Sequence, residues 1–221
     1  MNIEQTRFNM IEQQIRPWDV LDPEILDLLS LVKRENFVPA EHRNLAFMDT
    51  EIPLPGGENM LTPKLEARIL QEASVKRHEK VLEVGTGSGY MAALLAHKGR
   101  HVTSVEIDPV LKVFAETNLT ENAIDNVTVV LGNGAQGWVG IGTNCAPYDV
   151  IIISGSLPVL PNEFLQQLKI GGRLIATIGE APVMTTKRIT RVSETQYDTV
   201  NLFETFITPL HAATALSHFT F

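Results

Sequence analysis

The chain has 221 residues, 44% hydrophobic and 20% charged, and its 26 acidic against 18 basic side chains give a formal net charge of −8. That size supports one sizeable core with a small appendage, and the acidic balance argues against a nucleic-acid substrate gripped by its phosphates. One cysteine, Cys145, excludes an intrachain disulfide and a cysteine-based zinc set; with no apolar run long enough for a bilayer and no basic-then-apolar leader, the expected setting is the cytoplasm, without membrane or metal.

Residues 1 to about 75 read as helical, a cap and substrate-side loop ahead of a core spanning 76–221, the two forming one compact unit. Asp22 and Pro23 give a cap and first-turn signal, and Ile25, Leu28, Leu29 and Val32 follow at i, i+3, i+4 and i+7, the spacing of an amphipathic helix. Asp49 to Thr62 carries turn chemistry in Pro53, Pro55, Gly56 and Gly57. Thr62 and Pro63 then open a helix through Leu65, Ile69 and Ala73. His42, His78, His97, His101, His211 and His218 are read as surface or rim residues.

From Val81 strands and helices alternate: strand 81–85, helix 89–98, strand 101–106, helix 109–122, strands 127–131 and 148–153, helix 161–168 and strand 173–178. Val150 to Ile153 is apolar throughout, as a central parallel strand covered on both faces requires. Helix 109–122 is capped by Asp108, opened by Pro109 and given a buried stripe at Val110, Val113, Phe114 and Thr117. Gly171-Gly172 reads as the turn into the last parallel strand. Thr186–Ser193 and Val200–Thr208, joined by a polar turn at Glu194–Asp198, suggest an antiparallel hairpin at the sheet edge. The expected fold is a doubly wound α/β sheet, mostly parallel, with N-terminal helices.

The chemistry-bearing segment is Val81-Leu-Glu-Val-Gly-Thr-Gly-Ser-Gly-Tyr90. Gly85, Gly87 and Gly89 alternate, whereas a pyrophosphate-binding loop spaces its glycines Gly-x-Gly-x-x-Gly. With Glu83 before the first glycine and Glu106 twenty-one residues after it (106 − 85 = 21), the pattern favours S-adenosyl-L-methionine, which carries a sulfonium and an ammonium instead of a phosphate. Glu83 is expected near the methionine ammonium, and Gly85, Thr86, Gly87, Ser88 and Gly89 form the loop. Glu106 falls where it can accept hydrogen bonds from the ribose hydroxyls, and Ile107, next to it, is placed on the adenine face.

Several segments resemble the protein-L-isoaspartate O-methyltransferases: Arg34-Glu-Asn-Phe-Val-Pro39, Ala46-Phe-Met-Asp49 leading to Ile52-Pro-Leu-Pro-Gly56, the glycine motif, Gly132-Asn-Gly134 with Gly137-Trp138, Tyr148-Asp-Val-Ile-Ile152, and Leu165 to Leu174. The resemblance covers nearly the whole chain and implies a Rossmann-like class I methyltransferase fold. It also implies methyl transfer to the α-carboxyl of an isoaspartyl residue in a damaged protein or peptide, with S-adenosyl-L-homocysteine as product. An already ionised carboxylate needs no catalytic base, so positioning would supply most of the acceleration. Two positions depart from the family pattern. Leu61 stands where the family has a serine at the reacting carboxyl, with Thr62 beside it as either a substitute hydroxyl or a helix N-cap. Asn133, followed by Gly134, replaces an aspartate that in the family accepts from the adenine amino group, and its amide keeps a carbonyl for that role. Asp49, Asn59 and Ser154 are the other substrate-side candidates: Asp49 as an acceptor-orienting or Asx-turn residue, Ser154 and Ser156 as cleft or turn residues. Trp138 is expected to pack beneath the cofactor side. The emptied serine position leaves two alternatives open, a methyltransferase for another small-molecule acceptor and a cofactor-binding protein that has lost catalysis.

Overall fold

The computed structural model describes residues 2–214. Helix α1 (Ile3–Met10) runs on through a π-helical turn, Ile11–Ile15, and a 3-10 turn, Arg16–Trp18, to helix α2 (Pro23–Leu31). Asp22 caps α2 by accepting from the Glu24 N–H at 2.9 Å. Two two-residue strands, β1 (Ile52–Pro53) and β2 (Asn59–Met60), pair antiparallel across the Pro55–Gly57 turn. Helix α3 (Pro63–Ala73) follows and buries Leu65, Ile69 and Ala73, the residues the periodicity marks.

The main sheet is built from β3 (Lys80–Val84), β4 (His101–Glu106), β5 (Val127–Leu131), β6 (Tyr148–Leu157), β7 (Leu168–Glu180), β8 (Val183–Arg191) and β9 (Tyr197–Thr205). Helices α4 (Tyr90–Lys98), α5 (Pro109–Glu121) and α6 (Asn162–Gln166) lie between them in sequence. Among the described residues it has seven strands in the order β5-β4-β3-β6-β7-β8-β9, the first five parallel and the β8–β9 hairpin antiparallel at the edge. This is the expected doubly wound sheet. Strand order reverses between β3 and β6, and the crevice outside the carboxyl ends of such strands is where open α/β sheets bind ligands. The N-terminal helices share the sheet's apolar core, through Met10, Ile15, Leu29, Ile69, Leu94 and Val150 among others. Trp18 meets Phe203 of β9 edge-on at 6.2 Å between ring centroids.

Three local expectations are corrected. Val110 and Val113 are exposed, as is Thr117; α5 instead buries Leu111, Ala115, Asn118 and Leu119. Both stripes satisfy a 3.6 period, and the inward one is the one whose Ala115 lies where a Cβ on Gly89 would meet it at 3.3 Å. Ser154–Leu157 is no turn but the continuation of β6: pairing with β7 slips between Ile152 and Ser156, then resumes as Ser156 opposite Thr177. Gly171-Gly172 likewise lies inside β7, which begins at Leu168, and Gly171 adopts φ 82° at the irregularity. Helix α6 has only five residues. Of the histidines, His218 lies outside the described residues. His97 and His101 stand four apart but on different elements, at the end of α4 and the start of β4, where the His101 ring meets Thr128 Oγ1 at 3.2 Å. No described helix is long and apolar enough to cross a membrane.

Candidate functional site

The carboxyl ends of β3, β4, β5 and β6 open into one cleft of about 750 Å³ including its mouth, a size suited to a small-molecule ligand. The sequence-predicted Gly85, Gly87, Glu106, Ile107, Asn133, Gly134 and Ser154 line it from the sheet side, and Asn59 and Leu61 from the N-terminal loop. Gly85 and Gly87 adopt φ 92° and 54°, in the left-handed region that favours glycine. Gly134 is needed for a different reason: a Cβ there would come within 2.8 Å of Val84 Cγ1.

Glu106 is buried, and backbone holds it fast. Its Oε2 accepts from the Gly87 N–H at 2.9 Å, and its Oε1 accepts from the N–H groups of Ile107 (2.9 Å) and Asp108 (3.0 Å). A carboxylate offers about four acceptor positions, so roughly one remains for a ligand hydroxyl without rearrangement. Asn133 Oδ1 accepts from the Ala135 N–H at 3.0 Å. Its amide nitrogen is therefore left as a donor toward the cleft.

Glu83, Thr86 and Ser88 lie one layer deeper, around a small cavity beneath the loop that also touches Leu61, Glu66, Met91 and Ser154. Ser104 Oγ donates to Glu83 Oε2 at 2.6 Å, and Ser154 Oγ to Glu83 Oε1 at 3.1 Å. Because the Ser104 hydrogen points to Glu83, the 2.6 Å contact between Thr86 and Ser104 runs with Thr86 as donor. Burial pushes the Glu83 carboxyl up to about 8, with the Glu106 charge adding to the rise and the two serine hydroxyls opposing it. It is a buried acid with hydroxyl partners and, among the described residues, no cation beside it. Gly89, by contrast, is the N-cap of α4 at φ 83° and serves helix packing against Ala115.

Two substrate-side candidates stand apart from the cleft. Asp49 pairs with Lys64 at 2.7 Å. Thr62 occupies the N-cap position of α3, yet makes no side-chain cap, and its Oγ1 is buried without a hydrogen-bond partner. Ser156 is buried and donates to the Ile207 carbonyl at 2.7 Å. Trp138 packs across Gly132, where a Cβ would meet its ring at 2.6 Å, so it shapes the wall beneath the cleft.

The sequence reading missed one whole wall. The segment after β9, Ile207–His211, crosses the open side of the cleft. It is bound to β6 by Ser156 N to Thr208 O (3.0 Å) and Leu210 N to Ser156 O (2.9 Å). The Leu210 side chain rests over Gly85 and Gly155, and His211 Nε2 reaches Glu58 Oε1 of the opposite loop at 2.6 Å. Glu51 and Leu54 join that loop's lining, and burial raises the Glu51 carboxyl. Only non-local pairing brings these pieces together, so no local motif announces them.

The donor set fits S-adenosyl-L-methionine. Glu51, Glu58 and Glu106 line the cleft and Glu83 sits below it, while among the described residues no lining side chain is a lysine or arginine. A pyrophosphate would meet carboxylates there, whereas a sulfonium and an ammonium meet the counter-charge they lack in the protein. Val84, Val105, Ile107 and Leu111 supply an apolar bed for a base.

Comparison with known proteins agrees with this geometry. Residues 5–214 match the profile of the protein-L-isoaspartate(D-aspartate) O-methyltransferase family. A protein-L-isoaspartate O-methyltransferase of Protochlamydia amoebophila is 37% identical over 189 residues, 86% of this chain and 87% of that protein. One from Rhodopseudomonas palustris is 34% identical over 205 residues, 92% of each. Among solved structures, a Plasmodium falciparum protein described as a β-aspartate methyltransferase, in complex with S-adenosyl-L-homocysteine, superposes with a TM-score of 0.80 at 21% identity, covering 95% of this chain and 98% of that one. At that identity the superposition speaks to the fold, and the sequence matches speak to descent: the chain belongs to the protein-L-isoaspartate(D-aspartate) O-methyltransferase family.

Proposed function

We propose that this family member uses S-adenosyl-L-methionine to methylate a carboxylate, with an isoaspartyl residue of a damaged protein or peptide as acceptor. The observation that carries the cofactor half is the pairing of a backbone-held Glu106 with a buried, cation-less Glu83 on either side of the glycine loop. Family membership carries the acceptor half. When bound, the cofactor supplies an electrophilic methyl on a sulfonium that leaves as a neutral thioether. Glu106 would hold the ribose, Glu83 would face the ammonium, and Asn133 Nδ2 would donate to the base edge. The loop from Glu51 to Leu61 and the Ile207–His211 strap cover the cleft and exclude water, so that the acceptor oxygen meets the methyl in line.

Leu61 favours a second reading, in which the acceptor is a different, less polar carboxylate or small molecule. Leucine offers no hydrogen bond to an acceptor oxygen, and its side chain lines the cleft at 8% exposure. Incubation with an isoaspartyl peptide beside its aspartyl twin, in wild type and in Leu61→Ser, separates the two. Base-labile methyl ester on the isoaspartyl peptide in the wild type supports the first reading. Ester formed only by Leu61→Ser supports the second.

A further inference from the structure

Leu61 sits between β2, two residues long, and the first turn of α3, so neither a long ladder nor a helix interior fixes it. What fixes it is a buried cation. Arg34 is fully buried, and its guanidinium spends its donors on three separate segments. Nη2 donates to the Leu61 carbonyl at 2.6 Å, Nε donates to the Ala46 carbonyl at 3.0 Å, and Nη1 pairs with Glu66 of α3. The Tyr90 ring of α4 lies beneath it, 5.3 Å from Cζ to the centroid. Burial pulls the guanidinium down to about 10, which leaves it cationic at neutral pH.

We propose that Arg34 is a positioning residue for methyl transfer, holding the backbone of residue 61 and so setting the wall against which the acceptor carboxylate is placed. The inference rests on the cleft being the acceptor site. The guanidinium fork is suited to this because it bonds a carboxylate and two carbonyls at fixed angles, which an ammonium cannot do. Glu66 lines the same deep cavity as Glu83. By pairing with Glu66, Arg34 also leaves Glu83 as the cavity's one carboxylate without a cation. In-line transfer tolerates little misplacement of the acceptor, so slack at residue 61 acts on the acceptor while the cofactor half, built on β3, β4 and β5, stays in place.

The test uses Arg34→Lys, which keeps the charge and loses the fork. Beside it stands the double variant Arg34→Met with Glu66→Gln, which removes the pair without stranding a buried charge and serves if the single variant does not fold. Three quantities are read: cofactor Kd by calorimetry, kcat and KM for the isoaspartyl peptide, and amide exchange across residues 59–62 against that of β3. The expected result is a cofactor Kd within twofold of wild type, acceptor kcat/KM lower by tenfold or more, and exchange at 59–62 faster by tenfold or more with β3 unchanged. Exchange that rises equally in β3, activity that falls only in step with cofactor Kd, or unchanged exchange at 59–62 overturns it. A wild type inactive on isoaspartyl peptide would sink the proposed function, and the exchange comparison would still decide the role of Arg34.

Discussion

Glu106 and Glu83 are both buried acids beside the glycine loop, and their surroundings give them different work. Glu106 is held by three backbone N–H groups. Its replacement by alanine removes a ligand acceptor and frees the loop, which weakens cofactor binding by about 1.5–3 kcal/mol, the range for a hydrogen bond to a charged group; unchanged affinity in calorimetry would reject this placement. Glu83 has only hydroxyl partners, and its folded-state value of about 8 stands above the ordinary 4.5. Its contribution to stability is therefore complete below about pH 4.5 and is lost as pH rises through 8. Glu83→Gln escapes that loss. In thermal melts of the ligand-free protein the variant should gain on wild type by about 1.4 kcal/mol per pH unit between roughly pH 5 and 8 and then level off; parallel curves across that range would contradict it. The same change weakens cofactor binding, because the ammonium loses its counter-charge.

At the scale of elements, the strap after β9 and the β1–β2 loop meet over the cleft through His211 and Glu58, residues 153 apart in sequence. Ser156 anchors the strap from below with a buried hydrogen bond to the Ile207 carbonyl. Ser156→Ala leaves that carbonyl short of a partner, at a cost of about 1–3 kcal/mol. The strap should then lift more often, so stopped-flow cofactor release should quicken by more than the change in association; equal release rates would show that the strap does not gate the cleft. Nothing in the local sequence of Thr208-Pro-Leu-His211 signals this, since its partners are the glycines at 85 and 155. The glycine loop itself was legible, because strand, Gly-x-Gly-x-Gly, helix and Glu106 are near neighbours and each is needed at its spacing. The stripe of α5 was legible only at Phe114, which packs half-buried against the core, because Val110, Val113 and Thr117 fit a helical period as well as Leu111, Ala115, Asn118 and Leu119 do. Contact with Gly89 decided between them.

For the molecule as a whole, the N-terminal helices and the sheet bury side chains in a common core, and we propose that residues 1–75 and 76–221 unfold as one unit. A single calorimetric transition with matching van't Hoff enthalpy is the expected outcome; two resolved transitions would divide the chain. Cofactor at one hundred times its Kd should stabilise the fold by about 2.7 kcal/mol. For a chain of this length that is a rise of about 5–10 °C in Tm. Since the cleft is lined by β3, β4, β5, β6, the N-terminal loop and the strap, the shift should appear in the whole transition. Loss of the shift in Glu106→Ala would tie it to this site.

Periodicity and spacing within about thirty residues were enough to give the alternating strands and helices, the edge hairpin, the glycine loop and the choice of a cationic nucleoside cofactor. Resemblance to the family singled out Leu61, with Asn133, as a position of expected departure. The surroundings of Leu61 come from long-range folding alone: Arg34 beneath its carbonyl, Glu66 and Tyr90 around the guanidinium, and the strap closing the far wall. The reason is physical. A buried charge finds its partners wherever the folded chain brings carbonyls and carboxylates within reach, and here those partners come from three separate segments.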